Sequence, residues 1–354
     1  MTQTFIFALE PLDSRYTKQW YDEVPKQLDI HTGADRMLAP ESITVAGKQR
    51  CAYATPGAFL DFTDTNYWKS TQLAEFTDMM RRDEVPDDAV ILFTDFWNPA
   101  LIQVAYMRDL LGKNWKIHGI AHAGAYDPSD ILGYKMGSWS HDFELSLYFA
   151  SDKTYFATQF HRDMFIASLD IKPEQQARAV VAGQPYQYLN TALAEFDSTD
   201  KTDTVMWPHR YNDDKQPEIA EDLASNFDVF ITQKHQLNKD EYYAKLAKSK
   251  VVFSCSLHEN LGMSMIEGTI VGCLPIAPDR AAYSEIYLDE FLYPSVWTES
   301  YAQYEKHKDL MHEFIQKRID NYDMYSELLP EQVERIQKFI DPTLMFQHMV
   351  GEKL

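Results

Sequence analysis

Short apolar runs alternate with longer stretches of helical spacing along most of the chain. Residues 4–9, 89–94, 116–121, 146–150 and 179–183 are apolar and short, which predicts strands covered on both faces. Residues 17–28, 100–111 and 153–165 carry apolar positions at helical intervals, and Asn98-Pro99 separates the strand before it from the helix after it. The alternation breaks at 189–203, a polar and acidic stretch that reads as a linker. It resumes with strand-like runs at 204–207, 228–232, 251–253 and 274–277, and helices at 240–247, 301–321 and 330–339. Strands alternating with helices on both sides of a linker predict an α/β protein of two parallel-sheet domains. We place the domains at residues 1–190 and 191–335, with the final segment 336–354 returning to the first.

The stretch 254–283 is the most informative. A strand, Val251-Val252-Phe253, turns through His258-Glu259-Asn260-Leu261-Gly262 into a helix. There Met263, Ile266 and Ile270 share one face, and Gly272 is placed to end it. Residues 274–277 form the next strand, completing a βαβ unit. In such units ligands gather beyond the carboxyl ends of the strands, where helix starts offer free N–H groups. Glu259 lies in the turn and Glu267 in the helix, with seven residues between them. Gly262 lets backbone approach a ligand closely. Carboxylates beside an anion-binding helix start suit a ligand with both hydroxyls and phosphates, as in a nucleotide sugar. Glu267 would then accept from ribose hydroxyls, and Glu259 with the Asn260, Leu261 and Gly262 backbone would hold the sugar. The plainer alternative makes Glu259 a first-turn partner of the helix dipole and Glu267 a solvated helix residue.

Other candidates are weaker as sequence. Arg210 and Lys215, five residues apart after the strand 204–207, can clamp a diphosphate. Alternatively Arg210 pairs with Asp213 or Asp214 and Lys215 is solvated. Asp95, His122 and Asp127 follow strand ends, where α/β sites are built; the two aspartates are candidate acceptor contacts. The first loop mixes cations with aromatics in Arg15-Tyr16-Thr17-Lys18-Gln19-Trp20-Tyr21, which can hold phosphates and stack bases. It equally describes an amphipathic helix start with Trp20 in the core.

Composition narrows the class. A chain of 354 residues with 45% hydrophobic and 14% aromatic residues can build two real cores. No apolar run reaches the length of a membrane span, and the first residues lack the basic start of a signal peptide. Cysteines at 51, 255 and 273 give neither a disulfide framework nor a metal spacing, so a cytoplasmic setting is expected. A net charge of −21 excludes a broad electrostatic footprint on nucleic acid; any such contact must be local. No sugar-nucleotide metal motif or glycine-rich dinucleotide fingerprint is present.

The pattern Glu259-x7-Glu267 resembles the signature of family 4 retaining glycosyltransferases. The likeness continues through Gly272-Cys273-Leu274-Pro275 and Tyr283-Ser284-Glu285-Ile286. Together with Trp207-Pro208-His209-Arg210 and the D-K-x-P-E run ending at Glu218, it is most similar to the tRNA-queuosine mannosyltransferase branch. Leu261 stands where phenylalanine is common and Gly268 where alanine is common; the first loop lacks the frequent Gly-Gly pair. The likeness is dense over 205–286 and thin before residue 190. It implies a GT-B fold, two Rossmann-like domains facing across a cleft. It also implies a nucleoside-diphosphate-sugar donor, no metal and no further cofactor. Arg210 and Lys215 would stabilise the departing diphosphate, and Glu267 would hold the ribose. Glu259, and His122 from the other domain, would hold the sugar, and the loop 233–237 the nucleobase. Arg15, Tyr16, Asp95 and Asp127 would face the acceptor. The favoured acceptor is a hydroxymethylated base in phage DNA, which would place the enzyme in the host cytoplasm. A tRNA, small-molecule, lipid or glycan acceptor is the alternative. A GT-B epimerase and a catalytically silent nucleotide-binding protein are readings from other classes.

Overall fold

The computed structural model describes residues 3–13, 15–31, 42–52, 61–196 and 200–351. The chain divides into two compact units. One runs to Tyr186 and takes in the segment from Ile340 onward; the other is Gln187–Phe339.

The first unit is built on six parallel strands: β1 (Thr4–Phe7), β2 (Ile43–Val45), β3 (Val90–Phe93), β4 (Lys116–Ile120), β5 (Lys153–Phe156) and β6 (Ala179–Val181). Their order is β2-β1-β3-β4-β5-β6. All residues of β1 and β3 are buried, as strands covered by helices on both faces require. Phe5, Phe7, Phe76, Phe93 and Trp115 form the aromatic centre of this core. The chain leaves β1 toward β2 at the edge and returns to the other side of β1 as β3. The sheet therefore reverses direction between β1 and β3.

The second unit has five parallel strands: β7 (Thr202–Trp207), β8 (Val229–Ile231), β9 (Ser249–Phe253), β10 (Leu274–Pro278) and β11 (Leu292–Tyr293). Their order is β11-β10-β9-β7-β8, so the reversal falls between β7 and β9. Two parallel sheets in an α/β chain match the class that the alternating pattern predicts.

Some local expectations fail for physical reasons. The run 146–150 is not a strand but the end of the helix Trp139–Ala150. Its buried positions Ser140, Glu144, Leu147 and Tyr148 recur at helical spacing, and the apolar ending hides this period. The strand comes next, as β5, and the helix expected from 153 begins only at Gln159, capped by Thr158. The stretch 189–203 is not wholly irregular: it carries the helix Leu189–Ala192 and a 3-10 turn Ala194–Phe196 before β7. Residues 197–199 of that stretch lie outside the described residues.

Burial also sets a pH response. His118 on β4 is 2 % exposed, and its Nδ1 lies 3.0 Å from the Tyr155 hydroxyl. Burial, opposed by Asp152, pushes its pKa down to about 4. The folded unit thus keeps the imidazole neutral, while the unfolded chain binds a proton near pH 6.5. Stability contributed by this group is present above pH 6.5 and is lost as pH falls toward 4, by at most about 1.4 kcal/mol per pH unit. In urea unfolding between pH 6.5 and 4.5, His118→Gln is expected to flatten the slope of stability against pH. An unchanged slope would contradict this.

Candidate functional site

The strand order reverses between β7 and β9, and open α/β sheets bind ligands beyond the carboxyl ends of the strands at such a reversal. Two loops lie there, 208–216 after β7 and 254–262 after β9. Backbone joins them: Leu257 N–H donates to Asp214 O at 2.8 Å. Gln216 joins them again, its Nε2 donating to Cys255 O at 2.6 Å and Thr298 O at 2.7 Å. Gln216 holds a left-handed backbone, φ +51°, a conformation that costs a non-glycine residue about 1–2 kcal/mol. Its two buried hydrogen bonds offset that cost and fix the preceding residue, Lys215. Arg280 ties down the second loop through Ser256 O at 2.9 Å, and Ala282 N–H donates to Glu259 O at 3.2 Å.

Lys215 is therefore an interior residue, 6 % exposed, and not the solvated one of the plainer reading. Its Nζ lies 2.7 Å from Glu259 Oε1, 3.0 Å from Asp214 Oδ2 and 2.9 Å from His258 O. An ammonium has three donors, and these acceptors match all three. Burial presses the Lys215 pKa down, but Glu259 and Asp214 outweigh it and the result is raised. Burial likewise presses the Glu259 carboxyl up, and Lys215 and His209 bring it below its ordinary value. Glu259 is thus an ionised acceptor at neutral pH, unsuited to be a general acid. It precedes the helix Met263–Ile270 as a loop residue and is not a first-turn dipole partner.

His209 is buried beside this pair, Nδ1 4.0 Å from Glu259 Oε1. Burial pushes its pKa down to about 4, so it is neutral in the working range. Its Nε2 has no hydrogen-bond partner among the described residues. Arg210 follows it, half-buried.

Glu267 is buried at 6 % exposure, which rules out a solvated helix position. Its Oε1 accepts from Lys239 Nζ at 2.8 Å and Tyr243 OH at 3.0 Å, and its Oε2 from Tyr242 OH at 3.0 Å. Two hydroxyls and an ammonium on one carboxylate show a group shaped to receive hydroxyl hydrogen bonds. The helix bearing it differs from the one-face expectation: Met265, Ile266, Glu267, Gly268 and Thr269 are buried, whereas Met263 and Ile270 are only half-buried. Gly272, at φ +85°, follows its last turn in the left-handed conformation of a helix stop.

Gly262 starts this helix at φ +74°, and a Cβ there would stand 2.7 Å from Tyr283 Cε1. Tyr283 cannot give way easily, being 1 % exposed with its hydroxyl 2.9 Å from Ser254 Oγ. Gly262→Ala is expected to destabilise the second unit by at least about 1–2 kcal/mol, the left-handed backbone cost alone. It should also displace Asn260 and Leu261. Thermal unfolding reads the first effect, and an unchanged midpoint would contradict it.

The first unit holds the remaining candidates. His122, two residues beyond β4, has Nε2 2.7 Å from Thr94 O, so Nε2 carries the proton and donates to that carbonyl. Burial lowers its pKa, opposed by Asp95. Asp95 pairs with Lys69 at 2.6 Å and accepts from Trp97 N–H at 3.0 Å. Asp127 is 1 % exposed and its Oδ1 accepts from Ser129 N–H at 2.9 Å. Arg15 and Tyr16 are half-buried at the start of the helix Tyr16–His31. Trp20 is 1 % exposed and packs with Tyr16, Tyr186 and His122. It belongs to a core stripe with Val24 and Leu28, so stacking of a base on Trp20 is excluded. Lys18 pairs with Asp22.

Sequence reasoning passed over His209, Gln216, Lys239, Tyr242 and Tyr243. His209 stands inside a quoted motif, and its neighbour Arg210 drew the attention. The three partners of Glu267 lie 24 to 28 residues away in sequence, which no local spacing reveals. Among the described residues no group of three or more His, Cys, Asp or Glu side chains is arranged to hold a metal ion. No described helix is long and apolar enough to cross a membrane.

Comparison with known proteins agrees on architecture. The sucrose-phosphate synthase of Thermosynechococcus elongatus matches with a TM-score of 0.66 and 11% identity, over 99% of this chain and 98% of that one. The HepE protein of Anabaena, solved in complex with UDP-glucose, matches with a TM-score of 0.58 and 12% identity over 99% of each. The chain has the GT-B fold. A tRNA-queuosine alpha-mannosyltransferase of Drosophila melanogaster is 30% identical over a region covering 27% of this chain and 34% of the relative. The chain thus matches about a third of the length of that curated relative. No protein-family model matches.

Proposed function

We propose that this protein is a retaining glycosyltransferase that moves a sugar from a nucleoside-diphosphate sugar to a hydroxyl group. The observation that carries the reading is the Lys215–Glu259 pair, 2.7 Å apart and set at the reversal between β7 and β9. Buried Glu267 on the adjoining helix supports it, as does the local sequence match to a mannosyltransferase.

The chemistry assigned to these groups follows from their states. Sugar transfer breaks the bond between the anomeric carbon and a phosphate oxygen and leaves negative charge on the diphosphate. Arg210 meets that charge directly through its planar fork. Lys215 adds a fixed positive charge, and its hydrogen bonds orient Glu259 and the His258 carbonyl. For Lys215 to touch phosphate itself, one partner must yield, and Asp214 at 3.0 Å is the longest of the three. Ionised Glu259 accepts hydrogen bonds from the sugar, and the backbone of Asn260, Leu261 and Gly262 lines its path. Glu267 takes the ribose hydroxyls, exchanging Tyr242 or Lys239 for the ligand. No side chain is assigned as nucleophile: the leaving phosphate oxygen accepts the proton of the attacking hydroxyl. Positioning and charge stabilisation then supply the rate. His122 is assigned to the sugar.

The acceptor we infer is a hydroxylated nucleobase. Its support is the match to an enzyme named for a tRNA nucleoside; no relative named above acts, by its name, on DNA. A net charge of −21 favours a small contact, and a free hydroxylated small molecule is the second reading on that ground. The test is donor turnover with tRNA, hydroxymethylated DNA, small hydroxylated acceptors and no acceptor, under one set of conditions. Transfer to a nucleic acid supports the full proposal. Transfer to small acceptors alone removes the nucleobase, and donor consumption without any transfer removes the transferase.

A further inference from the structure

The strand order of the first sheet reverses between β1 and β3, at whose carboxyl ends the same rule places ligands. A cavity of about 30 Å3 lies there, lined by Glu10, Thr65, Trp68, Lys69 and Asp95 among others. That is room enough for a water or a hydroxyl group.

Its polar wall is unbalanced. Glu10 is 6 % exposed. Its Oε2 accepts from Thr65 Oγ1 at 3.2 Å, while Oε1, fully buried, has no hydrogen-bond partner among the described residues. Burying a carboxylate oxygen without a donor is costly, and such atoms are rare in folded proteins. The lining cation does not supply the donor: two of its three donors are turned to other acceptors, and none reaches Glu10 Oε1. Lys69 Nζ is committed to Asp95 Oδ2 at 2.6 Å and Trp97 O at 2.7 Å. The indole of Trp68 is also engaged, donating to Ala8 O at 3.0 Å. Burial pushes the Glu10 carboxyl up, the Thr65 hydrogen bond opposes this, and the charges of Asp64 and Asp61 add to the rise. The site therefore leaves Glu10 Oε1 without a donor. A neutral hydroxyl supplies the missing hydrogen, whereas an unprotonated phosphate oxygen does not.

We propose that this cavity receives an uncharged hydroxyl-bearing group of the acceptor, with the Glu10 carboxyl group as its hydrogen-bond partner. The inference rests on the transferase reading above and adds to it an acceptor subsite with a preference for hydroxyl groups. Neutral polyol or hydroxymethyl portions of the acceptor enter; phosphates stay outside.

Two measurements test it. In steady-state transfer at saturating donor, Glu10→Gln is expected to raise the acceptor KM about tenfold, because the amide puts an N–H2 donor or a weaker acceptor where a carboxyl oxygen stood. Thr65→Val should raise the same constant by less. Donor KM and acceptor-free donor hydrolysis should stay at the wild-type level. An unchanged acceptor KM in a folded Glu10→Gln protein would overturn the subsite and leave the transferase reading standing. Absence of transfer by the wild-type protein would instead remove the transferase reading. The second measurement then decides the subsite by itself: crystals of the wild-type protein soaked with 5-hydroxymethylcytidine or queuosine. A nucleoside hydroxyl within hydrogen-bond distance of Glu10 supports the inference. A lone water there, with both nucleosides absent, overturns it.

Discussion

Exchanging Lys215 for methionine is expected to cost the second unit about 3–5 kcal/mol, the usual penalty for removing one partner of a buried ion pair. The reason is the charge left behind. Lys215 faces Glu259 at 2.7 Å and Asp214 at 3.0 Å, and both carboxylates are mostly withdrawn from water. Methionine fills much of the volume and provides no donor, so two like charges remain without a cation between them. The folded fraction should recover in Lys215→Met/Glu259→Gln, with a coupling of about 0.5–3 kcal/mol, because the double variant removes one of the stranded charges. Urea unfolding of the second unit measures both. Additive losses, or a Lys215→Met protein as stable as wild type, would show that the ammonium is solvated and the pair incidental.

Arg210→Ala is expected to lower sugar transfer by roughly 10²–10³, the range for removing one preorganised group that stabilises developing charge. The loss should fall mainly in kcat, because charge on the diphosphate grows as the glycosidic bond breaks. Arg210→Lys should recover only part, since an ammonium cannot reproduce the two-pronged guanidinium contact. Equal turnover in a folded Arg210→Ala protein would mean that the leaving group is held elsewhere.

The two sheets were legible because parallel strands covered on both faces are written as continuous apolar runs. Val90–Phe93 and Val251-Val252-Phe253 are of this kind. The error at 146–150 has the same origin: an apolar helix end next to a core strand gives one unbroken run, and periodicity cannot divide it. In the candidate site, a resemblance singles out Glu259 and Glu267, and their surroundings are not legible in the sequence. Lys215 reads as a surface lysine until the left-handed Gln216 turns it inward. The partners Tyr242 and Tyr243 come from another helix and meet Glu267 only in the folded unit. Trp20 shows the opposite hazard. An aromatic between cations resembles a binding surface, yet Val24 and Leu28 at helical spacing mark it as core.

The central claim is that the site at the reversal between β7 and β9 holds the diphosphate and ribose of a sugar donor. Crystals grown with UDP or GDP test it most directly. The account predicts phosphate density beside the Arg210 guanidinium and at the start of the helix Met263–Ile270, and ribose hydroxyls on Glu267 in place of Tyr242 or Lys239. A nucleotide bound elsewhere, or Glu267 still holding all three of its present partners, would contradict it.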